Sequence, residues 1–216
     1  MWKVIRNRIE QGCKTSKYPK APINLYRRYR GRPQINADCP VTVIEQCAAL
    51  CPQDAILVAE RKIDLGRCTF CGQCATVSGG PFITFTQDFS MGAVSREDLI
   101  TDGNLPDLAN HAKAHFKKLF GRSLQLRQVS AGGCNSCEAD TNVLNTPFFD
   151  LARFGIDFVA SPRHADGIHV TGPISRNMEA ALIATYEAVP SPKVVIASGA
   201  CSISGGPFLG EPGSCR

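Results

Sequence analysis

From residue 122 onward, short apolar runs alternate with stretches of helical period. Residues 124–129 form a strand-like run that ends in Ser130-Ala131-Gly132-Gly133. Residues 141–154 read as a helix with a break near Pro147, and residues 156–160 and 167–170 as two further strands. Residues 178–189 carry Ala180, Ala181, Ile183, Ala184 and Ala188 in the pattern of a packed helix. Residues 193–197 read as a buried strand running into Gly199-Ala200-Cys201. Strands alternating with helices predict an α/β fold, a parallel sheet with helices on both faces. Ligands of such sheets sit at the carboxyl ends of the strands. Cys134, Cys137 and Cys201 all follow predicted strands, so they can converge at one edge.

The first half of the chain is patterned differently. Residues 55–58 and 82–85 are short apolar runs that read as strands. Residues 106–121 read as a helix with Leu108, Ala112, Phe116, Leu119 and Phe120 on one side, and Gly121 suits its stop. Trp2, Ile5 and Ile9 recur at helical spacing with Lys3, Arg6 and Arg8 between them, as in a short amphipathic surface helix. Four segments result: a basic arm over 1–38, a compact cysteine-rich unit over 39–86, a connector over 87–121 and the α/β unit over 122–216. A length of 216 residues accommodates one large domain or two modest ones.

Charge refines this division. The net charge of +5 is unevenly placed. Residues 1–38 hold ten Lys/Arg and two Asp/Glu, a balance of +8, and the remainder is slightly acidic. Such an arm is either a solvated tail or a docking element for an acidic partner or an anionic surface. No recognition motif or aromatic–basic interleaving accompanies the charge, which argues against nucleic acid. No apolar stretch approaches the ~20 residues that span a membrane, and the N-terminus lacks the apolar run of a secretory signal. The 11 cysteines are odd in number and partly grouped, which favours metal clusters in a reducing compartment over a disulfide framework.

The cysteine spacing carries the chemistry. Cys68, Cys71 and Cys74 form a C-x2-C-x2-C run, and Cys51-Pro52 lies upstream. In bacterial-type ferredoxins the fourth cysteine of each C-x2-C-x2-C-x3-C-P run ligates the cluster of the other run. Cys51 therefore belongs with Cys68, Cys71 and Cys74 as the ligand set of one [4Fe–4S] cluster. By the same rule the other cluster would need cysteines at 41, 44, 47 and 78, where the chain has Val41, Ile44, Cys47 and Ser78. This predicts an α+β unit of bacterial-ferredoxin type in which one site has been replaced by packing. Cys39 and Cys47 are then expected to be buried thiols.

Cys134-Asn-Ser-Cys137 and Cys201 offer a second set of three thiols among Gly132, Gly133, Gly199, Gly205 and Gly206. Glycine there lets the backbone approach a bulky inorganic cluster. A C-x2-C pair can also be a redox disulfide or half of a zinc site. A redox motif would not need Cys201, and a zinc ribbon would want a second close pair, so iron–sulfur chemistry is the preferred reading. His111 and His115 lie one helical turn apart, but no third ligand is evident, and a solvated helix face is the simpler explanation.

Several segments together resemble a known family. These are Ala131-Gly-Gly-Cys-Asn-Ser-Cys-Glu-Ala-Asp140, Phe149-Asp-Leu-Ala-Arg-Phe-Gly155, Ser161-Pro-Arg-His-Ala-Asp166, Val170-Thr-Gly-Pro173 and Ser198-Gly-Ala-Cys-Ser-Ile-Ser-Gly-Gly206. They resemble the small-subunit family shared by [NiFe] hydrogenases and respiratory complex I. The C-x2-C spacing is similar to that of membrane-bound, formate-hydrogenlyase-type hydrogenases, whereas the complex I subunit has adjacent cysteines. Tyr18-Pro19, Tyr26-Arg-Arg-Tyr-Arg-Gly-Arg-Pro33 and the first cysteine motif resemble the ferredoxin-like subunit of the same complexes. The chain thus looks like a fusion of two neighbouring subunits.

The resemblance implies a flavodoxin-like fold for the second unit, with Cys134, Cys137 and Cys201 holding a proximal [4Fe–4S] cluster beside a partner large subunit. It implies a membrane-associated hydrogenase complex on the cytoplasmic side, with separate membrane subunits and no catalytic residue on this chain. Asp140 stands where the family usually has Glu, as a proton-moving or a structural acid. Arg163, His164 and Asp166 are expected to shape the cluster loop and a subunit contact. The family's fourth proximal ligand comes from a Gly-Cys-Pro-Pro segment that this sequence lacks. Truncation is then the expected explanation, with Cys215 as the substitute candidate; one or two clusters follow accordingly. A complex I-type quinone reductase subunit, a zinc-stabilised assembly protein and a nonfunctional fragment are the alternatives.

Overall fold

The computed structural model describes residues 2–105, 120–121 and 123–215. The helix expected over 106–121, with His111 and His115, lies almost wholly outside the described residues.

The second unit is built on β6 (Leu124–Ser130), β7 (Ile156–Phe158), β8 (Gly167–Thr171) and β9 (Val194–Ser198). They form a four-stranded, wholly parallel sheet in the order β7-β6-β8-β9. The strand order matches the first four strands of the flavodoxin-like arrangement, whose switch point lies between the first and third strands. Here that point lies between β6 and β8. Strand β8 is buried along its whole length, as a central parallel strand covered on both faces must be. Edge strand β9 departs from this, because Val195 and Ala197 are exposed on one of its faces.

Helices follow the strands. After β6 comes α4 (Ser136–Val143), five residues earlier than the helical period suggests. Its reach back toward the strand is set by Asn135, which takes a left-handed conformation and turns the chain sharply. The expected continuation to residue 154 breaks at Val143, and Leu151–Phe154 forms a separate 3-10 turn. After β8 comes α5 (Arg176–Ala188), and after β9 the short α6 (Ala200–Ser204). Ala131, Ala165, Ile168, Val170 and Val189 make the buried core of this unit.

The first unit holds α1 (Trp2–Gln11), β1 (Pro33–Ile35), α2 (Val41–Ala49), β2 (Ile56–Leu57), β3 (Lys62–Asp64), α3 (Gln73–Val77), β4 (Ile83–Phe85) and β5 (Ile100–Thr101). Strands β1 and β4 pair antiparallel, and β2, β3 and β5 form a second antiparallel sheet. Two expectations shift accordingly. The last residues of the basic arm supply β1, and the connector supplies β5. Phe82, Ile44, Ile63, Ile83, Cys39 and Cys47 are the most deeply buried side chains. Cys39 and Cys47 are thus buried thiols, and Ile44 fills its position, whereas Val41 is exposed. No residue of α1 is buried, and Trp2, Val4 and Ile9 face solvent.

Candidate metal centres

The first site forms where α2 ends and α3 begins. Cys51 follows α2, Cys68 and Cys71 lie in the loop before α3, and Cys74 is in its first turn. Gly72 precedes α3 with φ +79°, a conformation natural to glycine. All four cysteines line a single pocket, whose walls include Pro52, Ile56, Ile63 and Phe85. The Ala55 amide donates to Cys51 Sγ at 3.3 Å, and the Phe70 amide donates to Cys68 Sγ at 3.4 Å. Burial pushes the Cys68 thiol up to about 12, with the neighbouring Cys74, Cys51 and Cys71 adding repulsion and the Phe70 amide opposing. Burial likewise pushes Cys74 up to about 11, with Cys47, Cys71 and Cys51 adding to it. As free thiols these groups hold their protons, so a metal centre here must displace them.

The second site lies at the carboxyl ends of β6 and β9, beside the switch point. Cys134 is in the loop after β6, Cys137 in the first turn of α4 and Cys201 in the first turn of α6. Burial raises Cys137, followed by Glu138, Cys201 and Cys134; burial raises Cys201, followed by Cys134. The three thiols are therefore close enough to repel one another as thiolates. Ser136 lowers Cys134, with Sγ and Oγ 3.4 Å apart.

Gly199 shows how tightly the backbone is drawn in. Its φ is +88°, and a Cβ there would lie 2.6 Å from Cys137 Sγ. Gly199→Ala is expected to cost about 1–3 kcal/mol in backbone strain alone, read by denaturant unfolding. It should also displace Cys137, read by that thiol's reactivity.

Cys215 lies beside the loop after β8, where its amide donates to the Ile174 carbonyl at 2.8 Å. Its thiol is 3.4 Å from Glu179 Oε2, and its charged neighbours are Glu179 and Arg176. The bridge between Ser214 and Ser175, whose amide donates to the Ala131 carbonyl at 3.1 Å, ties this segment to the same edge of the sheet as the other three cysteines. Arg163 and His164 are exposed, in a 3-10 turn before β8, and the carboxylate of buried Asp166 accepts the Gln125 amide at 2.7 Å. These residues sit at the amino end of the sheet. Strand β8, at about 3.3 Å per residue, separates them from the cysteine edge, so they do not shape the cysteine loop. Asp140 is exposed on α4.

No group of three or more His, Cys, Asp or Glu among the described residues is arranged around a single metal ion. A four-iron cluster takes its thiolates on separate irons, so its ligands enclose a volume instead of meeting at a point. Soft thiolates, apolar walls and amides directed at sulfur form a donor set suited to such a cluster at the first site.

The family profile described as NADH ubiquinone oxidoreductase, 20 Kd subunit matches residues 134–216. An NADH-quinone oxidoreductase subunit of Clostridium beijerinckii is 34% identical over 131 residues, covering 59% of this chain and 69% of that protein. The chain belongs to this family. Formate hydrogenlyase subunit 7 of Escherichia coli is 43% identical over 96 residues, 44% of this chain and 38% of that protein. A probable membrane-bound hydrogenase subunit of Pyrococcus furiosus is 41% identical over 99 residues, 46% of this chain and 59% of that protein. The chain thus spans less than two thirds of the length of these two relatives.

The match to the 20 kDa-subunit profile starts at Cys134 and takes in Cys137 and Cys201, while Cys51, Cys68, Cys71 and Cys74 lie outside it. Within the matched segment the structure adds residues that the cysteine spacing does not reveal. Glu138 is buried beneath the thiols and accepts hydrogen bonds from Ser130 Oγ at 2.5 Å and Thr171 Oγ1 at 2.7 Å. These bonds hold its carboxyl below the usual range. Nearby, His169 Nε2 contacts Ser198 Oγ at 2.8 Å, while its Nδ1 is buried with no partner among the described residues. A signal was present: His169 and Thr171 share one face of β8 by strand alternation.

Both groups make the fold acid-sensitive. Burial lowers His169 from 6.5, partly offset by Glu138, and hydrogen bonds lower Glu138 from 4.5. In each case the unfolded chain binds protons more readily than the folded one, so stability rises with pH. The metal-free protein should lose stability on acidification from about pH 7 to 5 through His169 and further below that through Glu138. In urea titrations across this range, His169→Gln should flatten the upper part of the profile.

Proposed function

We propose that this chain is an iron–sulfur electron-transfer subunit of a membrane-associated [NiFe]-hydrogenase-type complex. The observation that carries the reading is the enclosure of one apolar pocket by four cysteine thiols at ferredoxin spacing, in the same chain as a 20 kDa-subunit segment. Cys51, Cys68, Cys71 and Cys74 would hold a ferredoxin-type [4Fe–4S] cluster. Cys134, Cys137 and Cys201 would hold the proximal one, with a fourth donor still to be assigned. Such clusters supply one-electron chemistry whose potential depends on hydrogen bonding and solvent exposure. At the first site apolar side chains line the pocket, and the Ala55 and Phe70 amides are aimed at the sulfurs of Cys51 and Cys68. Catalysis would belong to a partner large subunit, with further subunits in the membrane and this chain peripheral on the cytoplasmic side. Among the described residues no helix is long and apolar enough to cross a membrane.

The similarity to an NADH-quinone oxidoreductase subunit favours a second reading, a complex I-type quinone reductase subunit. The C-x2-C spacing and the similarity to two hydrogenase subunits favour the first. Isolation of the native complex through a tag on this chain separates them. A nickel-containing large subunit with hydrogen-dependent dye reduction supports the hydrogenase reading. A nickel-free large subunit with quinone reduction supports the other.

A further inference from the structure

One of the contacts between the units lies close in sequence to both cysteine sites. Ser204, at the end of α6, has one hydroxyl proton and two carbonyls within reach of Oγ, that of Gly66 across the joint at 2.8 Å and that of Ala200 in its own helix at 3.0 Å, the shorter being the one across the joint. Gly66 is two residues before Cys68, and Ser204 is three residues after Cys201. Beside this bond, Ile203 packs into the core of the first unit. The joint has no spare room: a Cβ on Gly66 would lie 2.8 Å from Ile203 Cγ2 and 2.8 Å from the Arg96 guanidinium carbon. It is also braced. Buried Asp64 accepts the Gly66 amide at 2.9 Å and the Arg67 amide at 3.2 Å through Oδ1, and Arg96 Nη2 at 2.5 Å through Oδ2.

We propose that Ser204 is the positioning residue that couples the two sites, through a continuous path from Cys68 along the backbone to the Gly66 carbonyl, across the hydrogen bond to Ser204 and along α6 to Cys201. The inference rests on the electron-transfer reading above. With clusters held by the two sets of cysteines, one electron would pass from one, which is oxidised, to the other, which is reduced, with no bond made and no proton required along this path. A hydrogen bond offers a shorter jump than a van der Waals gap. The Asp64–Arg96 brace fixes the carbonyl that accepts it, so the spacing between the sites is set by groups that cannot drift independently.

The test uses Ser204→Ala and Ser204→Thr in the full chain within its native complex. Iron and acid-labile sulfide are first counted in the unsubstituted complex. If this chain does not hold two clusters there, the electron-transfer reading and the inference fall together. Two readouts then follow. Amide hydrogen exchange at residues 66–68 and 203–205 reports opening of the joint. The rate of one-electron equilibration between the centres after photoreduction reports coupling. Ser204→Ala is expected to raise exchange about fivefold, the change in opening that loss of one hydrogen bond brings, and to slow equilibration severalfold. Ser204→Thr, which keeps the hydroxyl, should restore both. Faster exchange with unchanged equilibration would make the joint merely structural and overturn the inference while leaving the electron-transfer reading intact. Unchanged exchange and equilibration in Ser204→Ala would overturn it as well.

Discussion

Cys68→Ser is expected to remove about four irons per chain, the content of one [4Fe–4S] cluster, and leave the second site loaded. Cys68 is the most strongly perturbed thiol of the first site. Burial and three neighbouring thiols raise it to about 12, and the Phe70 amide is aimed at its sulfur. Those features suit a metal-bound thiolate, whose charge is shared with iron, and they give a free serine hydroxyl nothing comparable. Iron and sulfide should fall together, with the loss confined to the spectrum of one reduced centre. Cys39→Ser and Cys47→Ser are the matching controls. Both thiols are buried but neither lines the pocket, so iron content should hold even where stability drops.

Phe82→Ala is expected to destabilise the folded chain by about 3–5 kcal/mol, the range for a fully buried aromatic truncated in a core. Phe82 is completely buried and belongs to one cluster with Ile44, Cys39, Cys47 and Ile83. Ile44, Cys47 and Ser78 occupy positions where the ferredoxin spacing would put ligands of a second cluster. With isoleucine, one thiol and a serine there, the stability that a cluster would lend through ligation has to come from packing. A cavity at Phe82 removes the centre of that packing. Urea unfolding of the metal-free protein, followed by circular dichroism, measures the loss without interference from iron.

The parallel sheet was legible because β8 and β9 are largely apolar and β6 carries Leu124, Leu126 and Val129 as its buried positions, each strand being followed closely by glycine. Their parallel pairing follows from the intervening helical segments. The start of α4 was not legible. Residues 136–140 are mostly polar, and a left-handed Asn135, not a hydrophobic stripe, sets that helix start. Strand β1 was hidden for a similar reason: Pro33–Ile35 is a three-residue edge inside a basic arm, and it becomes a strand only by pairing with β4.

The cysteines themselves were legible because metal ligation constrains spacing tightly. Their surroundings were not. Ser204 and Gly66 are 138 positions apart, and no local pattern announces a contact of that kind. Arg163, His164 and Asp166 show the reverse error. A motif-level resemblance drew them toward the cysteine loop, and strand polarity puts them at the opposite end of the sheet.

On the proposed function, thiolate-bound iron–sulfur clusters would carry electrons through this chain. Its most direct test is the iron, acid-labile sulfide and zinc content of anaerobically prepared protein, together with the electron paramagnetic resonance spectrum of the reduced form. Iron and sulfide are expected in equal amounts, in multiples of about four per chain, with a reduced-cluster signal that Cys68→Ser removes in part. Zinc in place of iron, with no labile sulfide and no such signal, would contradict it.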